Sequence, residues 1–174
     1  MKKIFIAMGM IVFLSSCELN SNDPLKMDFG RNIDDIPFIK NGKCETEENI
    51  ITCFFNNEPP FEKDSDRNVL KFYDGKLIGI GQSYLGGDDI DSVCKLLAQK
   101  MKNIYPLVKD KKALLAKVNS CKELEVIELE SSSEDEIFVF SDLEGIEAKE
   151  GNIEIMYSHK PYHLYIYRSS STLF

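Results

Sequence analysis

Cysteine and histidine are the residue types here whose spacing could do chemistry, and the spacing argues for crosslinks. Four cysteines follow Cys17: Cys44, Cys53, Cys94 and Cys121. A metal site gathers thiolates in C-x-x-C pairs or beside histidines. These four contain no C-x-x-C, and no histidine lies near them. An even set of cysteines in an oxidising compartment predicts two disulfides. Three pairings exist. Cys44–Cys53 and Cys94–Cys121 are favoured: the first closes a short loop around Glu45 to Thr52, and the second ties a helix to the segment after it. Each such bond typically contributes ~2–4 kcal/mol.

Other constellations are weaker. His159 and His163 stand four apart, a metal-binding spacing on a helix, but Pro161 between them argues against a helix. No metal is expected. Gly81-Gln82-Ser83-Tyr84-Leu85-Gly86 is similar to a nucleophile elbow, yet reads G-x-S-x-x-G, not G-x-S-x-G. A turn out of a strand explains it better. Gly86 to Asp91 lacks the alternating oxygen ligands of a calcium loop, and helix capping explains its aspartates. With the cysteines paired, no free thiol remains. The chain therefore reads as non-enzymatic, with no cofactor.

These residues must sit on a small set of elements. Lys43 to Phe55 predicts a hairpin with Glu48-Asn49 at its turn. Asn56 to Asp66 predicts a loop, because Pro59-Pro60 and the charges disfavour a central strand. Asp74-Gly75 lies between Val69–Tyr73 and Lys76–Ile80, and Asp-Gly suits the positive φ angles of a type I′ hairpin turn. Gly79 and Gly81 fall on one face of the second strand and predict the close approach of a helix. Asp88 to Tyr105 predicts a helix. Asp88 or Asp89 caps it, Pro106 stops it, and Ile90, Val93, Cys94, Leu97, Met101, Ile104 and Tyr105 form its apolar stripe. A shorter helix is expected from Lys111 to Asn119. Short strands follow at Leu124–Leu129, Ile137–Ser141, Ile146–Lys149, Ile153–Tyr157 and Tyr162–Arg168, with an exposed loop at Ser131–Glu136. The fold class is α+β: an antiparallel sheet built from hairpins, with one or two helices packed on one face.

The last hairpin is rich in aromatics. Alternation sends His163, Tyr165 and Tyr167 to one side and Tyr162, Leu164 and Ile166 to the other. With Leu164 and Ile166 in the core, an aromatic strip is left toward solvent. Tyrosines are enriched in binding hot spots, so Tyr165, Tyr167 and His163 are the candidate partner-binding residues.

The N-terminus is informative by resemblance. Lys2 and Lys3 precede an apolar run, Ile4 to Leu14, followed by Ser15, Ser16 and Cys17. The run is too short for a membrane span, which needs ~20 residues. Leu14 is too bulky for the A-x-A-like site of an ordinary secretory signal cut before Cys17. The segment resembles a bacterial lipoprotein signal, with Leu14-Ser15-Ser16-Cys17 as the lipobox. That resemblance implies cleavage before Cys17 and acylation of its sulfur and amino group, so that the chain's first partner is a lipid bilayer. One acyl chain binds only marginally; the two or three of lipoproteins hold stably. Glu18 rather than Asp after the cysteine points to the outer membrane, and paired cysteines point to a Gram-negative periplasm. The expected organisation is a signal peptide at 1–16, a lipidated tether at 17–40 and a single periplasmic domain at 41–174.

Charge narrows the partners. The chain carries 21 basic and 29 acidic residues; losing Lys2 and Lys3 with the leader leaves 19 against 29, near −10. Nucleic acid and anionic lipid surfaces would be repelled, whereas a basic protein would be drawn in. The expectation is a membrane-anchored periplasmic binding protein: an immunity or inhibitor lipoprotein that neutralises an exported toxin or cell-wall hydrolase. The alternative is an accessory structural lipoprotein of envelope assembly or a secretion apparatus.

Overall fold

The computed structural model describes residues 23–121, 128–129, 137–139, 146–147, 151–159 and 162–171. Cys17, the leader and the Ser131–Glu136 loop lie outside the described residues. Strands β1 (Lys43–Glu47), β2 (Ile50–Phe55), β3 (Ser65–Tyr73) and β4 (Lys76–Gly87) come first. Helices α1 (Ile90–Ile104) and α2 (Lys111–Asn119) follow. Then come β5 (Glu128–Leu129), β6 (Ile137–Val139), β7 (Ile146–Glu147), β8 (Asn152–His159) and β9 (Tyr162–Ser169). All the strand pairs are antiparallel, in the order β1-β2-β3-β4-β9-β8-β6-β5, with β7 on β8. The fold is α+β.

The turns follow their local chemistry. Asp74 (φ 47°) and Gly75 (φ 73°) both take positive φ between β3 and β4, as a type I′ turn requires. Glu48 (φ 52°) opens the turn between β1 and β2, and Cys44 stands directly opposite Cys53. The two are joined by a disulfide, and a second disulfide links Cys94 of α1 to Cys121 just past α2. Asp89 caps α1 by accepting from the Ser92 amide at 2.7 Å. Asp110 caps α2, accepting from the amides of Lys112 and Ala113 at 3.0 Å each.

The core lies between α1 and one face of the sheet. Val93, Leu97 and Ile104 of α1 pack with Leu70, Ile80 and Leu164. Gly86 is the glycine that seats the helix: a Cβ there would lie 2.5 Å from Val93 Cγ2. The expectation for Gly79 and Gly81 is corrected, because both lie under Tyr167 of the neighbouring strand rather than under a helix. Gly81 to Gly86 is also not a turn, since β4 continues to Gly87. Tyr105, expected on the buried stripe of α1, is exposed, while Lys100 is buried.

The stretch expected as tether is packed from residue 23 onward. Leu25 and Ile36 are buried in the core. The amides of Gly30 and Ile33 donate to the carbonyls of Leu77 and Gly75, and Leu77 donates to Arg31. Arg168, buried on the core face of β9, donates to the carbonyls of Leu25 (3.1 Å) and Met27 (2.7 Å) and stacks on Phe29 at 4.3 Å. The expected boundary at residue 40 therefore falls inside packed structure. Apolar residues at 25, 27, 29, 33, 36 and 38 give this strap enough burial to offset its ordering entropy.

Candidate functional site

The face of the sheet away from α1 is open and concave. Strand alternation builds it. Where Leu70, Ile80, Ile155 and Leu164 point to the core, their sequence neighbours point the other way. Register places these neighbours in rows across the strands. One row runs Lys43–Phe54–Val69–Gly81–Tyr167–Glu154. A second runs Glu45–Thr52–Lys71–Gly79–Ser169. A third sets Ser83, Tyr165 and Met156 side by side. All of their members except Lys43, Gly79 and Ser169 line a trough of about 790 Å³.

The trough has an apolar middle and charged walls. Ile50 and Phe54, on the hairpin pinned by Cys44–Cys53, are 42% and 46% exposed. Two large apolar side chains therefore stand open to solvent inside the concavity. Glu45 and Glu47 edge one wall, and Glu154 with Met156 forms the other. The Tyr167 ring lies over Gly79 and Gly81, with Lys71 Nζ 5.9 Å from its centroid. Burial, with the nearby Glu154 carboxylate, pushes the Tyr167 hydroxyl up to about 12, so it stays a neutral donor.

Two of the three candidate partner-binding residues, Tyr165 and Tyr167, line this trough. His163 stands beyond it on the same face of β9, with Nε2 3.1 Å from Asp66 Oδ2 and its ring 6.0 Å from that of Tyr165. Ser83 is buried, and its Oγ accepts from the Arg67 amide at 3.0 Å. It serves the sheet rather than presenting a nucleophile.

Sequence reasoning missed most of the lining: Phe54, Val69, Gly81, Glu154 and Met156. The signal was present as the off-phase positions of strands whose in-phase positions are apolar. It also missed a polar cluster on the helix side. Lys100 Nζ bonds Glu62 and Asp64 (2.8 Å to Asp64) and sits 4.0 Å above the Tyr84 ring. Asn103 donates to Glu62 at 2.6 Å. The Lys100 hydrogen bond holds Asp64 below its usual range. Burial, then the charge of Glu62, drives the Tyr84 hydroxyl well above its usual range. Its hydroxyl donates to Gln82 at 2.8 Å. This cluster latches the 56–64 loop to α1 and β4.

The molecule is thus an α+β domain with one sheet face covered by helix and the other hollowed into a trough. Comparison with protein-family models, with curated proteins and with solved structures returned no match.

Proposed function

We propose that this chain is a membrane-anchored periplasmic binding protein, an immunity or inhibitor lipoprotein that captures a basic exported toxin or cell-wall hydrolase in the trough. The observation that supports it is the open concave face, where exposed Phe54 and Ile50, half-buried Tyr165 and Tyr167, and three carboxylates share one hollow. An apolar, aromatic centre with a charged rim is how protein-binding surfaces are organised. The mature chain, near −10, would steer a cationic partner. The lipobox resemblance at Cys17 supplies the anchor, with the domain on the periplasmic side of the outer membrane.

The test is protection in cells. A strain exposed to a basic exported toxin or hydrolase is compared with and without the full chain. Two variants accompany it: Cys17→Ala, which removes the acylation site, and Tyr165→Ala with Tyr167→Ala, which empties the trough centre. The proposal expects stoichiometric protection by the wild type and loss in both variants. Protection that needs neither the anchor nor the trough would overturn it.

A further inference from the structure

We infer that the Tyr165, Tyr167, Glu154 and Met156 patch is a subsite for an arginine side chain of a basic protein partner. The inference rests on the proposed use of the trough and names the chemistry it selects.

Register makes the patch. Glu154 stands opposite Tyr167, and Met156 stands opposite Tyr165, all four on the trough face. The Cα atoms of the two tyrosines therefore stand about 7 Å apart along β9, with both side chains on the trough face. A carboxylate and a thioether flank them on β8. Guanidinium is the side-chain group that uses such a set fully. Its plane stacks on aromatic faces, its fork pairs with a carboxylate, and its stem covers apolar atoms. An ammonium would make the charge contact without the stacking or the fork.

Two observations point to a cation. The Tyr167 ring already draws the Lys71 ammonium to 5.9 Å, near the outer limit of a cation–π contact, from the β3 side. On the other side, Glu154 forms no ion pair or hydrogen bond among the described residues. Its charge is nevertheless felt by the Tyr167 hydroxyl. A partner cation entering from the trough would meet the Glu154 carboxylate and the outward face of the Tyr167 ring together. Gly79 and Gly81 leave the space in which the Tyr167 ring lies down on β4.

Methionine methyl NMR tests this. The full 174-residue chain, in a zwitterionic detergent, is labelled with ¹³C at its methionine methyls, and Met156 is assigned with M156L. N-acetylarginine methylamide is titrated in, with its neutral isostere N-acetylcitrulline methylamide and the lysine analogue alongside. The expected result is a saturable shift of the Met156 methyl by the arginine probe, with Met27 and Met101 unmoved. Binding should weaken at least tenfold with the citrulline probe and in E154Q. It should strengthen severalfold in K71Q, where the intrachain cation no longer competes. An equal response to citrulline, wild-type binding in E154Q, or no saturable shift at Met156 would overturn the subsite. Any of these would leave cellular protection by the chain standing. Loss of protection with this titration intact would reject the inhibitor reading instead.

Discussion

Gly81 of β4 stands directly opposite Tyr167 of β9, and the tyrosine ring occupies the space a side chain at 81 would need. A Cβ at 81 would lie 2.6 Å from Val69 Cγ1 and 3.1 Å from Tyr167 Cδ2. The trough floor exists because one strand gives up its side chains to the aromatic of the next.

Gly81→Val should therefore lift Tyr167 into the trough. Overpacking of this kind costs ~1–3 kcal/mol. Chemical denaturation should show a loss in that range, with the fold kept and partner binding much weakened. Unchanged binding in a folded variant would mean that the floor does not contribute to recognition.

The disulfides should matter unequally. The Cys94–Cys121 loop spans 27 residues and the Cys44–Cys53 loop spans 9, and chain entropy favours the longer closure. Paired Cys→Ser variants should each lose ~2–4 kcal/mol, with the larger loss at 94/121. The 44/53 variant should lose binding disproportionately, because it frees the wall that carries Phe54. Equal thermal stability of the two variants would count against the entropic account.

Arg168→Met should loosen the strap. The substitution keeps most of the apolar stem and removes the donors to Leu25 and Met27. Hydrogen bonds from a charged donor are worth ~1.5–3 kcal/mol. Hydrogen exchange should quicken at the Gly30 and Ile33 amides before it quickens in the central strands. Strap amides that exchange as in the wild type would show that Arg168 is not what holds them.

Acid should weaken the latch between the 56–64 loop and α1. The Lys100 hydrogen bond holds the Asp64 carboxyl below the usual carboxylate range, so the ionised form is favoured by folding. That contribution is present above the unfolded value and drains away as pH falls through the lower folded value. Asp64 is 63% exposed, so solvent screens much of the effect. Stability measured from pH 5 to pH 2 should fall, and Lys100→Met should make the fall shallower. An identical slope in the variant would remove Lys100 from the account.

Much of the fold is written in local rules. Asp74-Gly75 names its own turn, Asp88-Asp89 narrow the helix start to two residues, and the cysteine spacings favour one of three pairings. What the sequence hides is long-range. Lys100 interrupts an apolar stripe and reads as a solvent-facing position. It is buried because Glu62 and Asp64, far earlier in the chain, meet it there. Arg168 reads as the polar end of a strand. It is buried because the strap brings two carbonyls and a phenyl ring to it. The trough was half legible: alternation put Tyr165 and Tyr167 on the open face, but Glu154, Met156 and Phe54 join them only through strand order and register.

Site-specific photocrosslinking in living cells would identify what occupies the trough. A photoreactive residue is placed at Phe54 or Met156 in the trough, or at Leu115, which is exposed on α2. An adduct with one basic exported protein is expected from both trough positions and none from Leu115. Adducts from Leu115 alone, or the same adduct from all three positions, would contradict capture in the trough.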